Sequence, residues 1–290
     1  MKRFILFFIA VLTSWMSFAQ INGALIGVIS QSGGSGGVNY SIANATYSNL
    51  LFDPSAQLGT SLEDAWAGGG YLFLYGNTQL YRYSLSDITD VSTATYDNQS
   101  TGNGQARSGL NLSQDGLNIS MENFGSVHTK LSLSPAWDLN SAPGAPSTNL
   151  SSTAGTNTRG WTTNYDGTKL WGINSDSNIV YQFSMSPGFT GTPTSDTASI
   201  DLSANLGQGY GMGISPDGKY LLIGDNTGDT VKEFEFGTIG DVTTLTYTGN
   251  FVSLSGLDAA PYGCAYSEDG TAILVVGIQT DRVFQFNLNN

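Results

Sequence analysis

Residues 211–237 read GMGISPDGKYLLIGDNTGDTVKEFEFG and contain the unit that decides the fold. A short apolar run at 212–215 is followed by Pro216-Asp217-Gly218, a turn sequence in which proline presets φ and glycine accepts a positive φ. A second apolar run occupies 220–223, and residues 230–236 alternate between apolar and charged side chains. This stretch therefore predicts three short antiparallel strands joined by two tight turns.

The same unit recurs along the chain at intervals of about fifty residues. Its turn glycines are Gly70, Gly116, Gly167, Gly218 and Gly270. The linkers also match, since residues 88–96 (ITDVSTATY) parallel residues 239–247 (IGDVTTLTY). A four-stranded antiparallel sheet repeated with this period is typical of a β-propeller blade, because only neighbouring sheets can cover its two apolar faces.

We predict an all-β chain that forms a single β-propeller of four-stranded antiparallel blades. The strand that ends at each Asp-Gly turn is taken as the inner strand, and five such strands are clear. Residues 25–29, 38–42 and 46–52 are interpreted as strands of a degenerate opening unit, which favours six blades. The alternatives are seven blades, or five blades in which the two terminal pieces share one sheet.

The first twenty residues have the pattern of a signal peptide. Lys2 and Arg3 precede an apolar run at 4–12, and Ser17-Phe18-Ala19 places small residues before a cleavage site at Gln20. The apolar run is too short to cross a bilayer. We therefore predict a signal peptide at 1–19, a propeller domain at 20–290, no membrane span, and a periplasmic, extracellular or cell-surface location.

Charge and cysteine content restrict the function classes. The formal net charge is −13, with 10 Lys and Arg against 23 Asp and Glu. This balance argues against nucleic acid as a partner, because phosphate binding requires basic clusters. Cys264 is the single cysteine and cannot form a disulfide within the chain. Its apolar and small neighbours predict a buried side chain rather than a nucleophile.

Two parts of the sequence resemble known propellers. Residues 214–223 (ISPDGKYLLI) and 230–236 (TVKEFEF) resemble secreted bacterial β-propeller repeat proteins of the YVTN and lactonase-like group. Residues 131–138 (LSLSPAWD) resemble repeats of marine bacterial and phage-associated propellers. The resemblance covers residues 69–290 and implies the propeller fold. Its lactonase-like members imply a metal held at the channel, for which Glu63 and Asp64 are the paired carboxylates near the mouth.

The loops that lead into the inner strands carry arginine and aromatic residues. In a propeller these loops lie on the face opposite the Asp-Gly turns and converge on the central channel. Each ends at a glycine, which indicates crowding near the axis. Such side chains around one mouth could bind a sugar or a peptide, or could only fill the channel. The predicted ligand-binding residues are Arg107, Arg159, Trp161, Tyr210, Tyr262, Asp64 and Trp66.

The loops between the second and third strands of each blade suggest a calcium site. Their carboxylates are Asp225, Asp229, Asp176 and Asp281. Hard oxygen ligands suit Ca²⁺, but the spacing matches no EF-hand loop and such residues also form ordinary turns. No other cofactor is expected. His128, the single histidine, is predicted to be an exposed residue of an alternating strand.

The sequence favours an exported, non-catalytic propeller that serves as a binding or scaffold module for a protein, peptide or glycan. One alternative is a metal-dependent lactonase or hydrolase, which rests on Glu63, Asp64 and analogy of fold. Another is a structural or adhesive surface component, of the phage-associated kind, that is monomeric or assembles through exposed blade edges.

Overall fold

The structure is a computed structural model that describes residues 38–59, 61–102, 107–123, 125–142, 147–267 and 269–289. The chain divides into two compact units, Met1–Asn39 and Tyr40–Asn290. Apart from Val38 and Asn39, the first unit lies outside the described residues. The predicted signal peptide and the predicted strand at 25–29 therefore also lie outside them.

Within the described residues of the second unit, twenty strands form five four-stranded antiparallel sheets. The first strand, β1 (Thr46–Phe52), belongs to the last sheet. Blade 1 contains β2 (Leu62–Gly68), β3 (Tyr71–Gly76), β4 (Gln79–Leu85) and β5 (Ala94–Gly102). Blade 2 contains β6 (Arg107–Leu112), β7 (Asn118–Asn123), β8 (Val127–Ser132) and β9 (Ser147–Asn149). Blade 3 contains β10 (Thr158–Thr163), β11 (Lys169–Asn174), β12 (Ile179–Ser184) and β13 (Thr194–Asp201). Blade 4 contains β14 (Gly209–Ile214), β15 (Tyr220–Asp225), β16 (Thr230–Phe236) and β17 (Leu245–Ser253). Blade 5 contains β18 (Pro261–Tyr266), β19 (Ala272–Gly277), β20 (Arg282–Asn287) and, at its outer edge, β1.

Short helices connect some of these strands. Two four-residue α-helices, α1 (Ser55–Leu58) and α2 (Ser151–Ala154), lead towards inner strands. The linkers that precede the outer strands contain 3₁₀ helices. These are η1 (Ile42–Asn44), η2 (Val91–Thr93), η3 (Leu139–Ser141), η4 (Gly188–Thr190) and η5 (Val242–Thr244).

The five blades form a closed ring. Inner strands β2, β6, β10, β14 and β18 contact one another in that order, and β18 contacts β2. Strand β1 pairs antiparallel with β20, with Thr46 opposite Asn287 and Phe52 opposite Val283. The N-terminal strand thus completes the blade that the C-terminal strands begin. The predicted single propeller of four-stranded antiparallel blades is confirmed, but the predicted count of six is wrong.

The miscount arises from the opening unit. Residues 38–42 form no strand, and Ile42 begins η1. Residues 42–47 (IANATY) are the counterpart of residues 91–96 (VSTATY) and 242–247 (VTTLTY), which carry η2 and η5 into outer strands. The opening copy therefore contains one linker and one outer strand. That strand pairs with the outer edge of β20.

Side chains rather than turn geometry alone hold the Asp-Gly turns. Ser215 Oγ donates to Asp217 Oδ1 at 2.6 Å and accepts from the N–H of Tyr220 at 2.8 Å. Asp217 also accepts from the N–H of Lys219 at 3.0 Å. Gly218 has φ of +74°, which an L side chain rarely adopts. The local sequence thus fixes both turn and strand register.

Glutamine or glutamate side chains attach the linkers to the preceding blade. In four of the five linkers, the N–H of the first 3₁₀ residue donates to such a side chain across the blade boundary. The pairs are Val91 with Gln285 (2.9 Å), Leu139 with Gln99 (3.0 Å), Val242 with Gln182 (2.9 Å) and Ile42 with Glu233 (2.6 Å). Each bond satisfies a helix N-terminal donor and ties neighbouring blades together.

Apolar clusters fill the spaces between blades, as the repeat requires. Four of them draw strand residues from both flanking blades, such as Ile173 and Ile223 between blades 3 and 4. The cluster between blades 2 and 3 is different. Among the residues that the structure describes, it includes Trp161 and Phe183 of blade 3 but no residue of β6, β7 or β8. The strands of blade 2 therefore contribute no described residue to the apolar cluster at their interface with blade 3.

Candidate functional site

Three of the predicted binding residues meet on the propeller axis. Arg159, Tyr210 and Tyr262 each stand one residue before the axial glycine of β10, β14 and β18. Arg159 Nη1 donates to Tyr262 Oη at 3.1 Å. Blades 3 and 5 are not neighbours, so this bond crosses the channel. The Arg159 guanidinium carbon lies 5.3 Å from the Tyr210 ring centroid, and the two tyrosine rings are 4.6 Å apart.

Close approach of the inner strands explains this arrangement. A Cβ at Gly211 would lie 2.2 Å from the carbonyl oxygen of Tyr262, and one at Gly160 would lie 2.7 Å from the carbonyl oxygen of Tyr210. The backbones therefore leave no room for a side chain at the glycine position. The residue before it lies at the end opposite the Asp-Gly turns, where its side chain can extend over the channel.

The cluster combines one cation with two aromatic rings, and we call it the channel mouth: Arg159, Tyr210 and Tyr262. Tyr210 is 6% exposed, whereas Arg159 and Tyr262 are half-buried. Burial raises the pKa of the Tyr262 phenol, the Tyr210 ring adds to this effect, and the Arg159 charge opposes it. Tyr262 therefore remains a neutral hydroxyl at neutral pH. Parts of the Arg159 guanidinium group and of the Tyr262 ring are accessible at the mouth, and the Tyr210 ring packs beneath them.

Two of the other predicted mouth residues, Trp161 and Trp66, lie away from the channel mouth. Trp161 is 1% exposed and packs against Phe183 at 5.9 Å between blades 2 and 3. Trp66 stacks on Trp137 at 5.7 Å, beside the turn glycine Gly116 and hence toward the opposite end of the ring. Residue 107 begins β6, but its side chain lies outside the described part of the structure. The structure thus brings together three of the seven.

Asp64 occupies in blade 1 the register position that the axial glycine holds in other blades. It is 4% exposed, and its carboxylate accepts from the N–H groups of Ala65 at 2.9 Å and of Leu110. Burial raises the pKa of Asp64 well above its usual range, and the charges of Glu122 and Glu63 raise it further, against those two hydrogen bonds. Asp64 is therefore an inner-wall acid enclosed by blades.

The prediction that His128 is exposed is wrong, because its side chain is 0% exposed. His128 Nδ1 lies 2.7 Å from Glu122 Oε1, which also accepts from Ser120 Oγ at 2.7 Å. Ser120 Oγ is 3.4 Å from the same ring nitrogen. A Ser-His-acid triad places serine and acid on different ring nitrogens and opens to substrate. This buried cluster meets neither condition. Sequence reasoning missed Glu122 because a single acid in a strand looks solvent-facing.

The four candidate calcium ligands belong to three different blades, with Asp225 at the end of β15 and the other three in loops. Burial alone would raise the pKa of Asp225, but hydrogen bonds from Lys232 (2.7 Å) and from the N–H groups of Gln208 and Gly207 hold that pKa below its usual range. Asp281 accepts from the N–H of Leu62 at 3.0 Å. Asp176 pairs with Asn157, and Asp229 takes φ of +49° in its turn. Over the described ranges, no three His, Cys, Asp or Glu side chains form a group able to hold a metal.

Comparisons with known proteins give no family for this chain. No family model and no curated protein matches the chain. A functionally unknown protein from Desulfotomaculum acetoxidans is 13% identical, with a TM-score of 0.48, over 80% of this chain and 67% of its own. A candidate 6-phosphogluconolactonase from Bacteroides fragilis is 16% identical, with a TM-score of 0.47, over 78% of this chain and 65% of its own. The β-propeller domain of Myceliophteria thermophila Cps50 (Swd1) is 10% identical, with a TM-score of 0.48, over 84% of this chain and all of its own.

The assignment to the class of five-bladed β-propellers is therefore based on the sheets of this chain and on the contacts between its inner strands. The resemblance to the YVTN group has no matching family model behind it. In the described part of the chain, every helix is too short or too polar to cross a bilayer.

Proposed function

We propose that this propeller is a non-catalytic binding module whose channel mouth takes a carboxylate group of a protein, peptide or glycan partner. The observation that carries the proposal is the hydrogen bond from Arg159 to Tyr262 across the channel. Together with the contacts to Tyr210, this bond holds a cation and two aromatic rings from three blades side by side at the channel. Guanidinium groups bind carboxylates through paired, charge-assisted hydrogen bonds, and tyrosine rings stack on sugars and peptide groups.

Charge supports this choice of ligand chemistry. The chain carries 23 acidic and 10 basic residues, so a half-exposed arginine on the axis is a local exception. A carboxylate is attracted to that group only at short range, because the surrounding protein is negative and salt screens charges beyond about 10 Å. The mouth therefore selects an acidic group that can be inserted next to the rings.

Export is part of the proposal. Residues 1–20 have the basic start, apolar run and small-residue site of a signal peptide. The partner would then be met in the periplasm or at the cell surface. A metal-dependent hydrolase receives less support, because its candidate acid Asp64 is enclosed by blades and held by backbone N–H groups.

Binding of defined acidic probes tests the proposal. Carboxylate-bearing peptides and uronic-acid oligosaccharides would be compared with their amidated or reduced counterparts by isothermal titration calorimetry. Arg159→Ala should weaken binding of the acidic probes at least about tenfold, as expected for a lost charge-assisted bond. Tyr262→Phe should have a smaller effect. Which probe set binds distinguishes a peptide from a glycan partner.

Lys219→Ala is the matched control. It removes the same charge from a 43% exposed side chain beside an Asp-Gly turn, at the opposite end of the ring. It should leave affinity unchanged. Equal affinities for wild type and Arg159→Ala, or no preference for acidic over neutral probes, would contradict the proposal.

A further inference from the structure

The face of blade 2 that packs on blade 3 is polar and fully enclosed. Ser120, Glu122 and His128 are each 0% exposed. Glu122 stands directly opposite His128 in the β7–β8 ladder, at the position where blade 3 pairs Ile173 with Val180. Blade 2 thus has an acid and a histidine at two positions where the equivalent residues of blade 3 are apolar.

Among the residues that the structure describes, four buried polar atoms around this joint have no hydrogen-bond partner. They are Glu122 Oε2, His128 Nε2 and Asn111 Nδ2 of blade 2, and Trp161 Nε1 of blade 3. A Cβ at Gly109 would lie 2.7 Å from Glu122 Oε2 and 2.4 Å from Trp161 Cβ, so the carboxylate sits against blade 3. Two donors, one acceptor and one ring nitrogen able to play either role form a set that ordered water can bridge.

Proton count decides the charge of this joint. With one proton between them, Glu122 and His128 are neutral overall, whichever atom carries it. A second proton leaves a net positive charge, and loss of the first leaves a net negative charge. Either charge would be enclosed without compensation, which is strongly unfavourable in a protein interior.

We propose that the joint between blades 2 and 3 is a proton-dependent contact, stable while Glu122 and His128 share one proton and weakened when the pair gains a second or loses the first. An unfolded chain titrates Glu near 4.3 and His near 6.5, roughly. Below the first value the unfolded chain binds the extra proton, and above the second it releases the shared one. The joint is therefore most stabilising between about pH 4.3 and 6.5.

Two charged groups lie near the pair among the side chains that the structure describes. From β2, the charge of Asp64 acts on Glu122, so ionisation of Asp64 would deepen the loss on the alkaline side. From β8, Lys130 lies two residues beyond His128, and its amine donates to the carbonyl oxygens of Thr190 and Gly191 in the linker of blade 3. The described side chains that lie near the pair from β6 and β10, Asn111 and Trp161, carry no charge, and the side chain of Arg107 in β6 lies outside the described part of the structure.

Two variants test the joint by thermal unfolding from pH 3.5 to 8.5. The double substitution Glu122→Ile with His128→Val reproduces the pairing of blade 3. The difference in melting temperature between wild type and this variant should pass through a maximum between about pH 4.3 and 6.5. Glu122→Gln keeps the shape but leaves a histidine that must stay neutral, so its melting temperature relative to the double variant should rise with pH up to about pH 6.5 and stay level above it. A difference that does not change with pH in either variant would overturn the proposal.

Hydrogen exchange locates the effect. At acid pH, after correction for intrinsic rates, protection should fall first in β7 and β8, with β15 and β16 of blade 4 as the internal control. In the double variant, the strands of blade 2 should no longer lose protection before those of blade 4. Equal loss of protection in both blades of the wild type would show that no local joint opens and would refute the inference.

Discussion

Replacing Glu233 by alanine should open the ring at the strand that closes it. Glu233 is 0% exposed and lies in β16 of blade 4. Its Oε2 accepts from the N–H of Ile42 at 2.6 Å, and its Oε1 accepts from Ser41 Oγ at 3.0 Å and Asn250 Nδ2 at 2.8 Å. Through these bonds it holds η1, which leads directly into β1.

The magnitude follows from those three bonds. A hydrogen bond to a charged acceptor contributes about 1.5–3 kcal/mol, and a buried N–H left without an acceptor costs about 1–3 kcal/mol. The terms do not add fully, because removing a buried carboxylate also removes the cost of its desolvation. We expect a loss of about 3 kcal/mol, which corresponds to a fall in melting temperature of roughly 6–12 °C for a domain of this size.

Two matched substitutions distinguish opening of the ring at β1 from a general loss of stability. Glu233→Gln keeps an amide oxygen, the acceptor that Gln99, Gln182 and Gln285 supply elsewhere, and should lose only about 1 kcal/mol. Gln182→Ala breaks the equivalent bond to Val242 in an uninterrupted part of the chain. Hydrogen exchange in residues 46–52 should rise in Glu233→Ala and remain unchanged in Gln182→Ala. A melting temperature of Glu233→Ala within about 1 °C of wild type would refute the reasoning.

Three further predictions test packing and burial. Gly211→Ala should lower the free energy of unfolding by about 3 kcal/mol, because the new Cβ would lie 2.2 and 2.5 Å from backbone atoms of Tyr262 and Gly263. Gly125→Ala is the control, since the nearest described atom to its Cβ would be 3.4 Å away. Urea titrations should place this control within about 0.5 kcal/mol of wild type. Asp64→Asn should stabilise the protein by an amount that grows as pH rises above about 3.9. Burial raises the pKa of Asp64 in the folded state, so the folded protein holds a proton that the unfolded chain has lost, and the wild type loses stability with rising pH whereas the asparagine variant does not. Melting temperatures of the two proteins that change in parallel from pH 4 to 8 would contradict this. Cys264, 2% exposed and with its thiol pKa raised by burial, should react with a thiol reagent only at the rate of unfolding, so rapid labelling of the native protein would exclude the described packing.

Local sequence was sufficient to predict the blades, because each strand and turn is encoded nearby. The Ser-x-Asp-Gly turns specify both their own hydrogen bonds and the apolar strand that follows, as at Ser215 and Asp217. The blade count depends on a long-range pairing, Thr46 with Asn287, that no local pattern states. The linker motif at residues 42–47 carried the missing information, since its counterparts always precede an outer strand.

The candidate site was predictable only where the repeat fixes geometry. Arg159, Tyr210 and Tyr262 share one register position, so the axial meeting follows from the ring itself. Trp161 and Trp66 stand two and three residues after that register position in their own strands, and their side chains pack in the blade interfaces. Glu122 and His128 break the apolar pattern of their strands, and polar residues in alternating strands ordinarily face water. Their burial depends on blade 3, which a single strand sequence does not reveal.

Completion of blade 5 by β1 has a consequence for the order of synthesis. Strand β1 is among the first parts of the propeller to leave the ribosome, yet its partner β20 is among the last. Before β20 has been synthesised, the earlier blades can stack on one another, but the unfinished ring has two exposed ends. Joining of those ends therefore has to wait until β20 has been synthesised, and β1 has to remain unpaired in the meantime.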